Sequence, residues 1–372
     1  MRYSPFRMER WQSTYEHRVD INLSESGVHP LTTNELIELS GRDVDVGSTL
    51  LGYGQSNGSD ELRSLIAQQY DGAGDSSVLV TTGGAEANFT CFWHLFEGQA
   101  KAAIILPTYG QVPGLLESFG SRLTGVNLRE EDDWQPDLDA LESALVDGAS
   151  FVLITNPNNP TGASLTRASM DAIADMTERH GAWILADEVY AGAESGEERT
   201  PSFWGVHDRV LVTNSLSKAY GLPGLRLGWI VGPEAIMEEL WGRTDYTTIA
   251  VASLSDQLAC AALEPDTRAR IGARTRGIVR KNLSVLEDWM SAQEGRFRYR
   301  PPDAGAICYT HYDAPINSSA FAERLRVDKS VLVVPGDHFG MDHFIRLGFG
   351  NPEDELLEGL GRVRDAFDDV SR

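Results

Sequence analysis

A chain of 372 residues, 41% of them apolar, can bury more than one hydrophobic core, so two packed lobes are expected and a disordered chain is excluded. The net charge of −23 opposes binding to nucleic acid or to an anionic membrane. No apolar run reaches the roughly 18 residues of a membrane-spanning helix, and MRYSPFRMERWQ at the N-terminus lacks the apolar stretch of a secretory signal. Cys91, Cys260 and Cys308 are odd in number and lack CxxC spacing, so a cytoplasmic protein with neither disulfide frame nor metal centre is expected.

The basic residues are 28 Arg and only 4 Lys, against 28 Asp and 27 Glu. A carboxylate-rich, lysine-poor surface suits a salt-rich cytosol, where screening removes self-repulsion; a halophilic-type acidic surface is the expectation. With so few lysines, the position of each one carries information.

In chain order, short β-rich runs occur at Ser77–Thr82, Ala102–Leu106, Phe151–Thr155, Ala182–Asp187, Val210–Asn214 and Leu227–Val231. Helical patterns lie between them. Ala85–Phe96 carries Phe89, Phe92, Trp93 and Phe96 on one face, Pro136 sits at a helix start, and Leu165–His180 stops at Gly181. Strands alternating with helices predict an α/β fold with a mostly parallel sheet covered on both faces. A long polar helix over Glu264–Gln293 leads to strands near Gly305–Thr310, Val331–Val334 and Phe344–Gly348, with helices near Ser318–Arg326 and Glu353–Phe367. That order predicts a smaller α+β domain over 263–372, joined by an N-terminal segment, 1–45, beside a large domain over 46–262.

Ligands of parallel sheets bind beyond the carboxyl ends of the strands, so the residues there matter most. After the first strand, Gly83-Gly84-Ala85 opens a helix whose amides can approach an anion; a plain glycine turn is the alternative. Asn156-Pro157-Asn158-Asn159-Pro160 fixes a loop that leaves an asparagine amide above the sheet. Asp187, in Asp187-Glu188-Val189-Tyr190, ends a buried strand and calls for a cationic partner unless it is a cap or a solvated loop acid. Lys218 follows the next strand by a few residues, in Ser215-Leu216-Ser217-Lys218. Desolvation or neighbouring positive charge there would strip its proton and make it a nucleophile towards aldehydes; a surface lysine is the ordinary alternative.

These motifs, in this order and with Arg226 eight residues past Lys218, resemble the class I/II aminotransferases, enzymes of pyridoxal 5′-phosphate (PLP) with fold type I. The resemblance spans roughly residues 20–350. It implies a large domain with a mostly parallel seven-stranded sheet sandwiched by helices, a smaller α+β domain, and a homodimer with shared active sites acting on amino acids and 2-oxo acids.

The resemblance also assigns roles. Lys218 bonds covalently to the PLP aldehyde and shuttles the substrate proton, and Asp187 faces the pyridine nitrogen. Tyr190 and Asn159 hydrogen-bond the phenolic oxygen. Ser215, Arg226 and the amides of Gly84 and Ala85 hold the phosphate, while Tyr109 stacks on the ring. Arg346 grips the substrate carboxylate, with Gly27 and Asn159 nearby, and Tyr53 reaches a neighbouring subunit's phosphate. His29, Asp245 and Tyr246 are candidates for reading the substrate side chain.

Four stretches, Ser26–His29, Lys218–Arg226, Asp245–Thr248 and Val331–Gly336, are also similar to capreomycidine synthases, PLP-dependent cyclases acting on a hydroxylated arginine. Two reactions therefore remain open: transamination, and elimination with cyclisation.

Overall fold

The computed structural model describes residues 3–42, 44–96 and 100–371. Its main element is an eight-stranded sheet in the spatial order Val78–Thr81, Gly228–Val231, Val210–Ser215, Trp183–Asp187, Phe151–Thr155, Lys101–Leu106, Arg122–Arg129 and Gln135–Pro136. Only Gly228–Val231 and the two-residue Gln135–Pro136 run against the rest. The expected seven strands are thus extended by one. Pro136, expected to begin a helix, instead lies on the sheet edge, where its missing N–H costs no ladder bond. The helix begins at Leu138, and the Asp137 side chain accepts from the Ala140 amide to cap it.

Side chains alternate across this sheet into two separate cores. Val80, Ala103, Ile105, Val152, Ile154, Ile184 and Val212 pack on one face. Leu79, Ala102, Ile104, Leu153, Leu185, Leu211 and Ile230 pack on the other. Burial on both faces explains why the strands read as continuous apolar runs. The Arg167–His180 helix has Thr166 as N-cap and Gly181, at φ 64°, as its left-handed end.

A third core surrounds an antiparallel sheet in the order Phe297–Tyr299, Ile307–Tyr312, Phe344–Gly348 and Val334–Pro335. The expected Val331–Val334 strand is divided: Val331–Leu332 pairs with Ile21–Asn22, and Val334–Pro335 pairs with Phe344–Gly348. The N-terminal segment is divided too, since Ile21, Leu23 and Val28 join this third core while Leu36 packs beneath the large sheet. The 27-residue helix Pro265–Ser291 spans both, burying Ile271 in one core and Val279, Leu286 and Met290 in the other.

All three cysteines are buried and unpaired. Among the described residues no helix is long and apolar enough to cross a membrane, and no group of three or more His, Cys, Asp or Glu could hold a metal ion.

Candidate active site

Strand register brings the functional residues to one edge. Thr81, Gly228 and Ser215 lie in one row, and Thr155, Asp187 and Thr213 in the next. Above them is a cleft of about 380 Å³. Of the residues singled out from sequence, Gly84, Ala85, Tyr109, Asn159, Asp187, Tyr190, Ser215, Lys218, Arg226 and Arg346 all line it.

The first cluster suits a phosphate. The Gly84–Leu95 helix starts at Gly83, which supplies no capping side chain, so its first amides are free for a ligand. Gly83 has φ 81°, and a Cβ there would come within 2.5 Å of Arg226 Nη2. A Cβ on Gly228 would strike the Gly83–Gly84 backbone at about 2.5 Å, so the glycines let strand, helix start and guanidinium close on one another. Arg226 Nη1 donates to the Pro223 carbonyl at 2.9 Å and to Ser217 Oγ at 3.4 Å, and no carboxylate pairs with it among the described residues. Helix amides, a serine hydroxyl and an arginine fork with no carboxylate on it are the donor set of a bound dianion.

The second cluster suits an aromatic nitrogen cation. Asp187 is 8% exposed, and its Oδ2 accepts from Asn88 Nδ2 at 2.8 Å and its Oδ1 from the Val189 amide at 3.2 Å. Burial raises its carboxyl above the ordinary range, against the pull of Asn88, Val189 and Lys218. Asn88 is itself held by Thr213, whose Oγ1 donates to Asn88 Oδ1 at 2.7 Å.

Lys218 Nζ lies 3.4 Å from Glu25 Oε2. Burial lowers the amine's proton affinity, but Glu25 and Tyr190 outweigh it, so the lysine sits above its ordinary value. The same lysine holds the Glu25 carboxyl below its own. A carboxylate 193 positions away in sequence thus faces the amine and favours its protonated form for as long as the amine is not bonded to an aldehyde. Gly27 packs behind this lysine: a Cβ there would lie 3.3 Å from the Ser217 carbonyl oxygen and 3.4 Å from Lys218 Cα. Tyr190 donates to Ser26 Oγ at 2.8 Å. Tyr109 donates to Glu9 Oε2 at 3.3 Å and meets the Phe6 ring edge-on at 4.8 Å.

Arg346, 1% exposed on the Phe344–Gly348 strand, enters from the smaller sheet. Its Nη1 donates to Asn159 Oδ1 at 2.8 Å and its Nη2 to the Ser24 carbonyl, while Nε is buried without a partner. A buried guanidinium on a cleft wall with an unsatisfied N–H is suited to receive a carboxylate.

Other sequence candidates lie elsewhere. Tyr53 is 89% exposed, bridges to Ala252 and does not line the cleft. His29 Nδ1 is 3.0 Å from the Gly350 carbonyl oxygen, Asp245 is exposed at a helix end, and Tyr246 is exposed against Trp93. None of these three lines the cleft. Sequence reasoning missed Asn88, Ser26, Ser217, Glu9, Glu16 and Glu25, which do. Asn88 alone left a signal, being one helical turn beyond Gly84 and on the same side of the helix.

The residues fit PLP: a phosphate cradle that a Cβ would fill, a buried acid for the pyridine nitrogen, and an amine lining the same cleft. Comparisons with known proteins agree. The chain is 31% identical over 361 residues to capreomycidine synthase of Streptomyces vinaceus, covering 96% of this chain and 92% of that protein. A PLP-dependent aminotransferase from Streptococcus suis superposes with a TM-score of 0.94 at 29% identity, covering 100% of both chains. The PLP-dependent cyclase OrfR superposes with a TM-score of 0.90 at 27% identity, covering 99% of this chain and 98% of that one. The family model for aminotransferase class I and II matches residues 20–363, and this chain belongs to that family of PLP-dependent enzymes.

Proposed function

We propose that the protein transfers an amino group between an L-amino acid and a 2-oxo acid. One observation carries this reading: Lys218, Asp187 and Arg346, from three distant parts of the chain, line the same cleft. When bound, PLP supplies an electron sink conjugated to the substrate Cα. Lys218 Nζ is the amine placed to accept and return the Cα proton. Asp187, whose ionisation burial alone disfavours, would be stabilised as a carboxylate by a pyridinium nitrogen facing it and would hold the proton there. The Arg346 bond occupies Asn159 Oδ1 and leaves the amide N–H groups of Asn159 to donate to the phenolic oxygen, and Tyr190 would turn its O–H from Ser26 to the same atom. The Arg346 fork orients the substrate through its carboxylate. A homodimer belongs to the same reading: Leu50, Leu51 and Tyr53, all more than four-fifths exposed, form an apolar patch for a second copy to cover.

The likeness to capreomycidine synthase and to the cyclase OrfR favours a second reading, a cyclase acting on a hydroxylated arginine. There Lys218 would move the same proton, the substrate would lose its β-hydroxyl as water, and a guanidino nitrogen would close on Cβ. Incubating holoenzyme with an amino donor and no acceptor separates the two. A transaminase releases at most one equivalent of 2-oxo acid per site and turns over only when an acceptor is added. A cyclase releases none and yields a product lighter than its substrate by one water. Neither product from any amino acid would refute both readings.

A further inference from the structure

The cleft walls carry three cations, Lys218, Arg226 and Arg346, and four acids, Asp187, Glu9, Glu16 and Glu25. On the proposed function, on which this inference rests, each cation has a group to meet: the cofactor aldehyde, its phosphate and the substrate carboxylate. Asp187 meets the pyridine nitrogen. Glu9 and Glu16 remain with nothing in the cofactor or the amino-acid backbone to pair with them, and Glu25 joins them once Lys218 bonds the aldehyde.

Their arrangement follows from the Arg7–Tyr15 helix. Glu9 and Glu16, at the helix end, are seven residues apart and so lie two turns apart on one face. Met8 Sδ is 3.6 Å from Arg346 Nη1, which seats the start of this helix against the carboxylate grip. Glu9 accepts from Tyr109, at 3.3 Å. Glu25 reaches in from the opposite segment beside Lys218. Among the described residues no arginine or lysine lies within 4.0 Å of Glu9 or Glu16, though Glu9 and Glu25 both face the Arg346 guanidinium at longer range; His17 lies 3.7 Å from Glu16. The buried Arg346, its Nε unpartnered, independently marks the place where a carboxylate-bearing ligand sits. The cleft that such a ligand would enter is lined by these three glutamates as well.

We propose that Glu9, Glu16 and Glu25 form an acidic wall that selects amino acids with a cationic side chain, guanidinium or ammonium, over neutral and acidic ones. An acidic side chain would be repelled by carboxylates in a half-enclosed cleft, and a neutral one would leave them uncompensated.

The test uses PLP-loaded enzyme at low ionic strength, where charge effects are least screened. The probes are 5-guanidinopentanoate and heptanoate, of similar length and both with a carboxylate for Arg346, but without the α-amino group that would start chemistry. Calorimetric titration should show the guanidino acid binding at least tenfold more tightly. In the double variant Glu9→Gln/Glu16→Gln, which keeps side-chain size and the Tyr109 hydrogen bond, that ratio should fall below threefold. The ratio of kcat/KM for arginine over norleucine as amino donors should fall in parallel. Equal affinities in the wild type, or a ratio unmoved in the double variant, would overturn the acidic wall while leaving the carboxylate site standing. Failure of both probes to bind would overturn the carboxylate site itself, and the inference with it.

Discussion

Glu188 offers a sharp test of the electrostatics beside the site. It follows Asp187 directly, is 2% exposed, and its Oε1 accepts from Ser202 Oγ at 3.0 Å and from the Phe203 amide at 2.8 Å. Burial raises its carboxyl from the ordinary 4.5 to about 7, against the pull of these two bonds and with a further push from Asp187. The folded state therefore holds this proton more tightly than the unfolded chain, and stability falls as pH rises from 4.5 through 7. With both states ionised, the loss amounts to about 3 kcal/mol. Glu188→Gln can keep both accepted bonds and has no proton to lose. Denaturant unfolding of variant and wild type at pH 5 and pH 9, at matched salt, should show the variant gaining about 2–3 kcal/mol relative to wild type at the higher pH. A gap that stays constant or narrows would refute the reasoning.

Two further outcomes follow from the site geometry. Gly83→Ala places a Cβ 2.5 Å from Arg226 Nη2 at φ 81°; the guanidinium must move, and PLP affinity measured by equilibrium titration should fall at least tenfold, with roughly 1–3 kcal/mol of backbone strain. Asn88→Ala removes the 2.8 Å bond to Asp187; a hydrogen bond to a charged group is worth about 1.5–3 kcal/mol, so kcat should fall about ten- to a hundredfold while the cofactor stays bound. An unaltered kcat would remove Asn88 from the positioning of Asp187.

What could be read from sequence was what lies within a few residues of a strand end. Gly83-Gly84, Asp187 and Lys218 each follow an apolar run that the two-sided burial of the sheet makes conspicuous. The Arg122–Arg129 strand escaped notice because its outer half is exposed and only Val126 and Leu128 are buried, which leaves no apolar run. Residues brought in by the tertiary fold were equally invisible. Ser26 meets Tyr190 across 164 positions and Glu25 meets Lys218 across 193, and no local pattern announces either pair. Asp245, the acid expected to read the side chain, lies off the cleft, whose three glutamates come from the N-terminal helix and the segment after it. That helix buries only Met8 and Gln12, so no apolar periodicity marks it in the sequence.

The proposed chemistry depends most on one amine. Purified protein incubated with PLP, reduced with borohydride and digested should yield a single peptide carrying the cofactor's mass, with the modification on Lys218, and Lys218→Ala should yield none. A cofactor mass found on Lys101, Lys281 or Lys329 instead, or on no lysine at all, would contradict it.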